Sequence, residues 1–383
     1  MWKSEDKAPW GLYIHIPFCQ RKCLYCDFLS FQASEEVQKI YCESLRKELA
    51  MWAEDPRVRN RETDTVFFGG GTPSLLNPRL FTSIMDDICR YFSLTKDVEI
   101  SLECNPGVTD KEKFSLYRSL GVNRISIGMQ SMVDTELQAL GRIHRAEEFL
   151  QAYAKARECG FDNINIDLMA AIPGQTLDSY CETLRKVIDL EPEHISSYSL
   201  ILEKGTPFYE KYRECPPVSE ETDRIMYEQT EILLSDAGYE RYEISNYARP
   251  GKECRHNLKY WRRQEYVGAG VGAASFLCEE RIFNERDLTA YQTSISRRNL
   301  PVAEKELLLK EDAMAEFMFL GLRCMQGVSE RAFYEKFGIT MSERYGDVIK
   351  KYSDLAMLKK KGDQLMLTAR GIDVSNVIFA DFL

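Results

Sequence analysis

Residues 11–28, GLYIHIPFCQRKCLYCDF, join a short alternating apolar run to three closely spaced cysteines. GLYIHI has the period-two pattern of a strand. Cys19, Cys23 and Cys26 follow it as C-x3-C-x2-C, so three thiolates fall within eight residues and can converge on one metal centre without help from the rest of the chain. The other nine of the twelve cysteines show no tight mutual spacing. Such a distribution over 383 residues is no disulfide framework; in reducing cytosol the thiols should be free or bound to metal. Zinc would need a fourth ligand, for which His15 and Cys42 are the nearest candidates, yet structural zinc is usually gripped by paired hooks and no second hook lies nearby. The sharper reading is a [4Fe–4S] cluster in which three irons bind cysteine and the fourth stays open to a ligand.

A chain of 383 residues is too long for one ordinary compact domain and suggests a large domain with a smaller companion. Apolar residues at 44% and charged residues at 29% fit a soluble globular protein and argue against disorder, collagen or a coiled coil. The net charge of −10 gives no global attraction to a phosphate backbone, so nucleic acid is not an expected partner. No stretch approaches the roughly 18 apolar residues of a membrane helix, and MWKSEDKAPW at the start lacks the apolar centre of a signal peptide. A cytoplasmic location is expected.

Short β-rich runs recur at 11–16, 65–68, 98–102, 122–127, 161–167 and 194–200, with helical periodicity between them at about 35–53, 78–92, 110–120, 145–159 and 176–190. Regular alternation of this kind predicts parallel β/α units, as a barrel or a doubly wound sheet. Polar or glycine features close those strands: the cysteine loop, Gly69 to Thr72, Glu103, Gln130 and Asp167. In a β/α barrel that rim is where chemistry is assembled. The glycine triplet of FFGGGTPS lets backbone approach a ligand closely, although a tight turn before a capped helix reads equally well in isolation. No G-x4-G-K-[ST] is present, which excludes a P-loop. A lone polar residue at a strand end is usually a loop hydrogen-bonder; repetition at successive strand ends favours a site.

The C-x3-C-x2-C spacing with Tyr25 before the last cysteine resembles the signature of radical S-adenosylmethionine proteins, and GGGTP resembles the GGxTP element that contacts the methionine amino group in them. Over nearly the whole chain the sequence is similar to the oxygen-independent coproporphyrinogen III oxidase family, and within it to the heme chaperone HemW branch. The resemblance implies a partial (β/α)6 TIM-like barrel with a smaller helical, winged-helix-like C-terminal domain. It also implies that Cys19, Cys23 and Cys26 hold a [4Fe–4S] cluster, and that Tyr13, Gly70, Gly71, Thr72 and Glu103 match a first S-adenosylmethionine site. Gln130, Arg142 and Asp167 match residues that contact a second S-adenosylmethionine in the oxidase. The oxidase places a further cysteine two residues after the third ligand; Phe28 stands there. His256-Asn257-Leu258-Lys259-Tyr260-Trp261 resembles the H-N-x-x-Y-W motif that distinguishes heme-binding HemW proteins.

His256 can offer an imidazole to heme iron, with Cys254 as a rival, and Arg255, Arg262 and Arg263 can pair with propionates. The bland alternative is that Tyr260 and Trp261 belong to a core flap and Arg262–Arg263 to a solvated edge. After Asp167, where relatives generally place an aromatic residue and a glycine before the apolar-Pro dipeptide, Ala171 removes a permissive position, so the loop near the second nucleotide site is expected to be altered. The β/α rhythm stops past 205; a helix is expected at about 219–237, and the glycine-rich 267–276 reads either as a close backbone pass or as a packed turn. The expected units are residues 1–205, an extension over 206–304 and a C-terminal domain over 305–383.

The resemblance implies that a reduced cluster passes one electron to the sulfonium of S-adenosylmethionine, giving methionine and a deoxyadenosyl radical. Three functions stand open: a heme chaperone delivering heme to haemoproteins, an oxidase decarboxylating coproporphyrinogen propionates, and, more blandly, a radical enzyme acting on some other substrate. An electron donor of flavodoxin or ferredoxin type would serve any of them.

Overall fold

The structure is a computed structural model that describes residues 8–383; the start of the N-terminal stretch read above for a signal peptide lies outside the described residues. Six parallel strands, β1 (Trp10–Ile16), β2 (Glu62–Gly70), β3 (Ser93–Cys104), β4 (Arg124–Gln130), β5 (Ile164–Ala170) and β6 (His194–Ser199), pair in sequence order. The connecting helices include α1 (Glu35–Glu54), α2 (Pro78–Tyr91), α3 (Lys111–Ser119), a short α4 (Asp134–Ala139), α5 (Ala146–Glu158) and α6 (Leu177–Asp189). The periodicity therefore located all six strands and the five main helices. Side-chain caps start several of these helices: Ser34 accepts the Val37 amide, Asp110 the Lys113 amide, and Thr176 with Ser179 forms a capping box. The apolar residues of the strands, among them Leu12, Ile14, Val66, Phe68, Ile100, Ile125 and Ile166, face the helices and are buried there.

The sheet continues beyond this half-barrel. After α7 (Pro207–Tyr212) and α8 (Glu220–Asp236), β7 (Glu240–Arg241) and β8 (Asn246–Ala248) extend the β6 edge antiparallel. The chain then crosses through α9 (Arg255–Trp261) to the other edge, where β9 (Tyr266–Ala269) pairs parallel with β1. Strands β10 (Ala274–Leu277) and β11 (Glu280–Asn284), followed by α10 (Leu288–Ser296) and β12 (Val302–Leu307), complete a 12-stranded sheet. The glycine-rich stretch is thus a strand pair with a tight connection: a Cβ on Gly268 would fall 2.1 Å from the Ala274 carbonyl oxygen.

Helix α9 lies across the N-terminal end of the barrel. Glu99, low on β3, accepts the Arg255 and His256 amides at 3.0 and 3.1 Å, and Lys259 pairs with Asp64 at 2.7 Å. A carboxylate at the first-turn amides complements the positive end of the helix.

Beyond β12 a second core gathers α11 (Lys310–Gly321), β13 (Val328–Ser329), α12 (Glu330–Phe337), α13 (Met341–Asp354), β14 (Leu358–Lys361), β15 (Gln364–Leu367), α14 (Ala369–Asp373) and α15 (Ser375–Ala380). Its three strands pair antiparallel in the order β13-β15-β14, the small sheet of a winged-helix-like unit. No helix among the described residues is long and apolar enough to cross a membrane.

Ala171 corrects one expectation. It follows β5 with φ +58°, so the turn keeps its left-handed residue although the glycine is gone. Ala171→Gly is expected to stabilise the fold by about 0.5–1 kcal/mol, because relief of roughly 1–2 kcal/mol of left-handed strain exceeds the entropy the glycine gains when unfolded. Urea unfolding midpoints measure this; a lower midpoint for Ala171→Gly would show that the buried methyl outweighs the strain.

Candidate functional site

All parallel strands end on one rim, and the cysteine loop after β1 is sewn to the glycine loop after β2. Gly71 and Thr72 donate their amides to Ile16 and Phe18 carbonyls, each at 2.8 Å, while the Cys19 amide reaches Phe31 O at 3.0 Å. A Cβ on Gly71 would lie 2.7 Å from Phe18 O and 3.0 Å from Cys19 Sγ, so only glycine lets these loops meet. Gly70 holds φ +114° with its missing Cβ against the His15 ring.

Cys19, Cys23, Cys26, Gly70, Gly71, Thr72, Glu103, Gln130, Arg142 and Asp167 line one cavity of about 140 Å³. No three His, Cys, Asp or Glu side chains among the described residues are arranged to hold a single metal ion. The candidates for a fourth zinc ligand are committed elsewhere. His15 donates from Nε2 to Leu29 O at 2.9 Å and accepts the Tyr13 hydroxyl on Nδ1 at 3.0 Å, and Cys42 is in the core behind α1, its thiol pushed up to about 12 by burial. Three thiols facing a shared cavity fit a polynuclear cluster better than zinc.

The rim residues are linked by a chain that sequence reasoning missed. Asn105 donates to Thr72 Oγ1 at 2.8 Å and accepts from Arg142 Nη2 at 2.9 Å; Arg142 also reaches Gly128 O at 2.6 Å and Cys23 Sγ at 3.6 Å. Its position two residues after Glu103 at a strand end was the available signal. Asp167 accepts from Ser126 at 3.1 Å and Asn165 at 2.7 Å, and Gly70 N–H donates to Glu103 at 3.1 Å. Desolvation, then the Asp167 charge, raises the Glu103 carboxyl to about 8; desolvation also raises Asp167. A pocket with two such carboxyls favours a cationic ligand, as the ammonium and sulfonium of S-adenosylmethionine would be.

Below this cavity, and sharing Phe28, Gly70, Glu103, Ser126 and Asp167 with it, lies a larger one of about 370 Å³ that fills the barrel interior. Tyr13 and His256 line it. His256 is 0% exposed; its Nδ1 is 2.8 Å from Thr65 Oγ1 and its Nε2 2.8 Å from Tyr260 Oη, with Phe67 stacked on its face at 5.3 Å. Burial lowers it to about 3, so the ring is neutral. Both nitrogens are therefore engaged, against the expectation of a free ligand for heme iron. Cys254 is buried behind the floor, with its thiol toward Glu99 at 3.7 Å. Two of the three expected propionate arginines are occupied: Arg255 pairs with Asp64 and Asp97, and Arg263 is buried between Glu279 and Glu316, whereas Arg262 is exposed just past α9 with no ion pair among the described residues. Trp261 faces Arg323, whose guanidinium sits 4.4 Å from the ring centre.

The Radical SAM superfamily profile matches residues 13–187 and the HemN C-terminal domain profile residues 308–374. Heme chaperone HemW of Bacillus subtilis is 34% identical over 97% of this chain and 98% of its own length. The chain belongs to the HemW family of radical SAM proteins. HemW of Escherichia coli is 42% identical over 69% of each chain. Coproporphyrinogen III oxidase (HemN) of Escherichia coli shares the fold, with a TM-score of 0.86 at 23% identity, over 98% of this chain and 90% of that one. Membership of the radical SAM superfamily implies a [4Fe–4S] cluster and S-adenosylmethionine, which the thiol trio and the carboxyl-lined cavity fit.

Glu103 makes the site sensitive to pH. Its folded pKa of about 8 against an ordinary 4.5 means that its stabilising proton is fully held below the lower value and is lost as pH rises through the upper one. Glu103→Gln keeps a Gly70 acceptor without titrating. Its thermal midpoint relative to wild type is expected to climb between about pH 5 and pH 8. Parallel midpoint-against-pH curves for the two proteins would refute the raised carboxyl.

Proposed function

We propose that the chain binds heme and delivers it to haemoproteins, with the cluster and S-adenosylmethionine enabling or regulating the transfer. The observation that carries this is full-length similarity to proteins named heme chaperone HemW, joined to Phe28 standing where the oxidase pattern has cysteine. Phe28 is 65% exposed on the loop after β1 and borders the barrel cavity with Tyr13 and Phe67, which gives its mouth apolar surface suited to a flat macrocycle.

In this reading Cys19, Cys23 and Cys26 would hold the cluster, leaving one iron open toward S-adenosylmethionine in the cavity they border. When bound, the cluster would supply an electron to the sulfonium of S-adenosylmethionine, drawn from a flavodoxin- or ferredoxin-type donor. Gly70, Gly71 and Thr72 would present backbone to the nucleotide, and Glu103 would accept a hydrogen bond from its amino group or a ribose hydroxyl. Asp167, Gln130 and Arg142 border the second nucleotide position, where Asn105 fixes the Arg142 plane. Tyr13 and His256 form the wall below. Residues 1–205 carry the cofactors, 206–304 close the barrel and 305–383 form the accessory unit, all in the cytoplasm.

Anaerobically reconstituted protein is expected to develop a Soret band on addition of hemin, saturating near one equivalent, and to make no protoporphyrinogen from coproporphyrinogen III with S-adenosylmethionine and reductant. Protoporphyrinogen formation would replace the chaperone by an oxidase. Since His256 is held at both nitrogens, Tyr260→Phe is expected to leave the Soret position and hemin affinity within about twofold of wild type. A shift to a low-spin spectrum in Tyr260→Phe would identify the phenol as a mask over an iron ligand.

A further inference from the structure

We propose that Arg124 is a carboxylate-binding group at the floor of the barrel cavity, placed to receive one acid group of a ligand whose flat body rests against the ring stack of Tyr13, Phe67 and His256. Arg124 opens β4 with its side chain turned into the barrel, is 2% exposed and lines the cavity of about 370 Å³. Its guanidinium makes no hydrogen bond or ion pair with any described residue, and Nε is buried without a partner. Other buried cations among the described residues each reach an acid or an acceptor even where one nitrogen is left over: Arg263 meets Glu279 and Glu316, Lys259 meets Asp64, and Arg142 meets Asn105 and Gly128 O.

Glu99 and Asp167 lie near enough to favour the charge on Arg124, but neither is in hydrogen-bond or ion-pair contact with it, and both already accept from other donors. Glu99 accepts the Arg255 and His256 amides and faces the Cys254 thiol, and Asp167 accepts from Ser126 and Asn165. A guanidinium removed from water without a counter-charge in contact is strongly unfavourable, so a group held this way in an open cavity is poised for a ligand anion. Ser101, the register partner of Arg124 on β3, leaves its buried hydroxyl without a partner and adds a neutral donor beside it. The planar fork suits a two-oxygen acid.

A carboxylate fits better than a phosphate, because Arg124 supplies a single positive charge and no other arginine or lysine lines the cavity to answer the second charge of a dianion. The rings of Tyr13, Phe67 and His256 lie within 24° to 27° of parallel and form an apolar wall of the cavity. A cation for the acid beside a flat apolar wall describes a site for an aromatic or tetrapyrrole carboxylic acid. On the function proposed above, and resting on it for the ligand's identity, that acid is a heme propionate.

The test uses the full chain. Sodium propionate is expected to raise the thermal midpoint of wild type where propionamide at matched ionic strength does not, and Arg124→Met is expected to lose the difference. Hemin is expected to bind wild type about tenfold or more tightly than hemin dimethyl ester, and Arg124→Met to bind both alike. Should Arg124→Met fail to fold, Arg124→Lys takes its place, with the propionate response reduced. Equal responses to propionate and propionamide in wild type, or a difference that survives in the folded variant, would overturn the proposal. A propionate response that depends on Arg124 in a protein that takes up no hemin would uphold the subsite and remove the chaperone reading.

Discussion

The parallel register of β1 through β6 is the constraint on which the site depends. It brings every strand's C-terminal end to one rim, so that residues far apart in sequence, from Cys19 to Asp167, border a single cavity. Two amide hydrogen bonds, from Gly71 and Thr72 to the chain leading into Cys19, carry the β1–β2 ladder past the strands and into the loops. The cysteine loop is therefore positioned by a rigid scaffold.

A filled β/α barrel usually packs branched apolar side chains inside. Here the inward positions are Tyr13, Glu99, Glu103, Arg124, Asn165, Asp167 and His194, while the apolar layer lies between sheet and helices. Polar interior groups need partners, and most find them: His194 bonds Asn165 and Tyr242, Asp167 bonds Ser126 and Asn165, and Glu99 takes the first turn of α9. Helix α9 supplies what an open half-barrel lacks, a floor, and His256 with Tyr260 turns its polar face into that floor.

Much of this was legible beforehand, because the half-barrel is built from local periodicity: apolar alternation gave the strands, helical spacing the helices, and spacing alone the thiol trio. What stayed hidden depends on pairing between distant segments. Residues 267–276 read as an ambiguous glycine-rich turn because β9 owes its place to β1, some 250 residues earlier. His256 was readable as a motif residue but not as one with both nitrogens engaged, since Thr65 approaches it from β2. Arg263 looked like a surface charge until Glu279 and Glu316 met it. Asn105 was overlooked because one amide beside a proline carries little signal until Thr72 and Arg142 are brought to it.

The joint around Arg263 has a mechanical meaning. Glu316 on α11 and Lys336 on α12 meet, directly or through Glu279, a guanidinium two residues past α9, and Arg323 caps the Trp261 ring at the end of that helix. The C-terminal unit and the barrel's floor are therefore riveted together. The compartment is braced from beneath, at the end opposite to the cysteines.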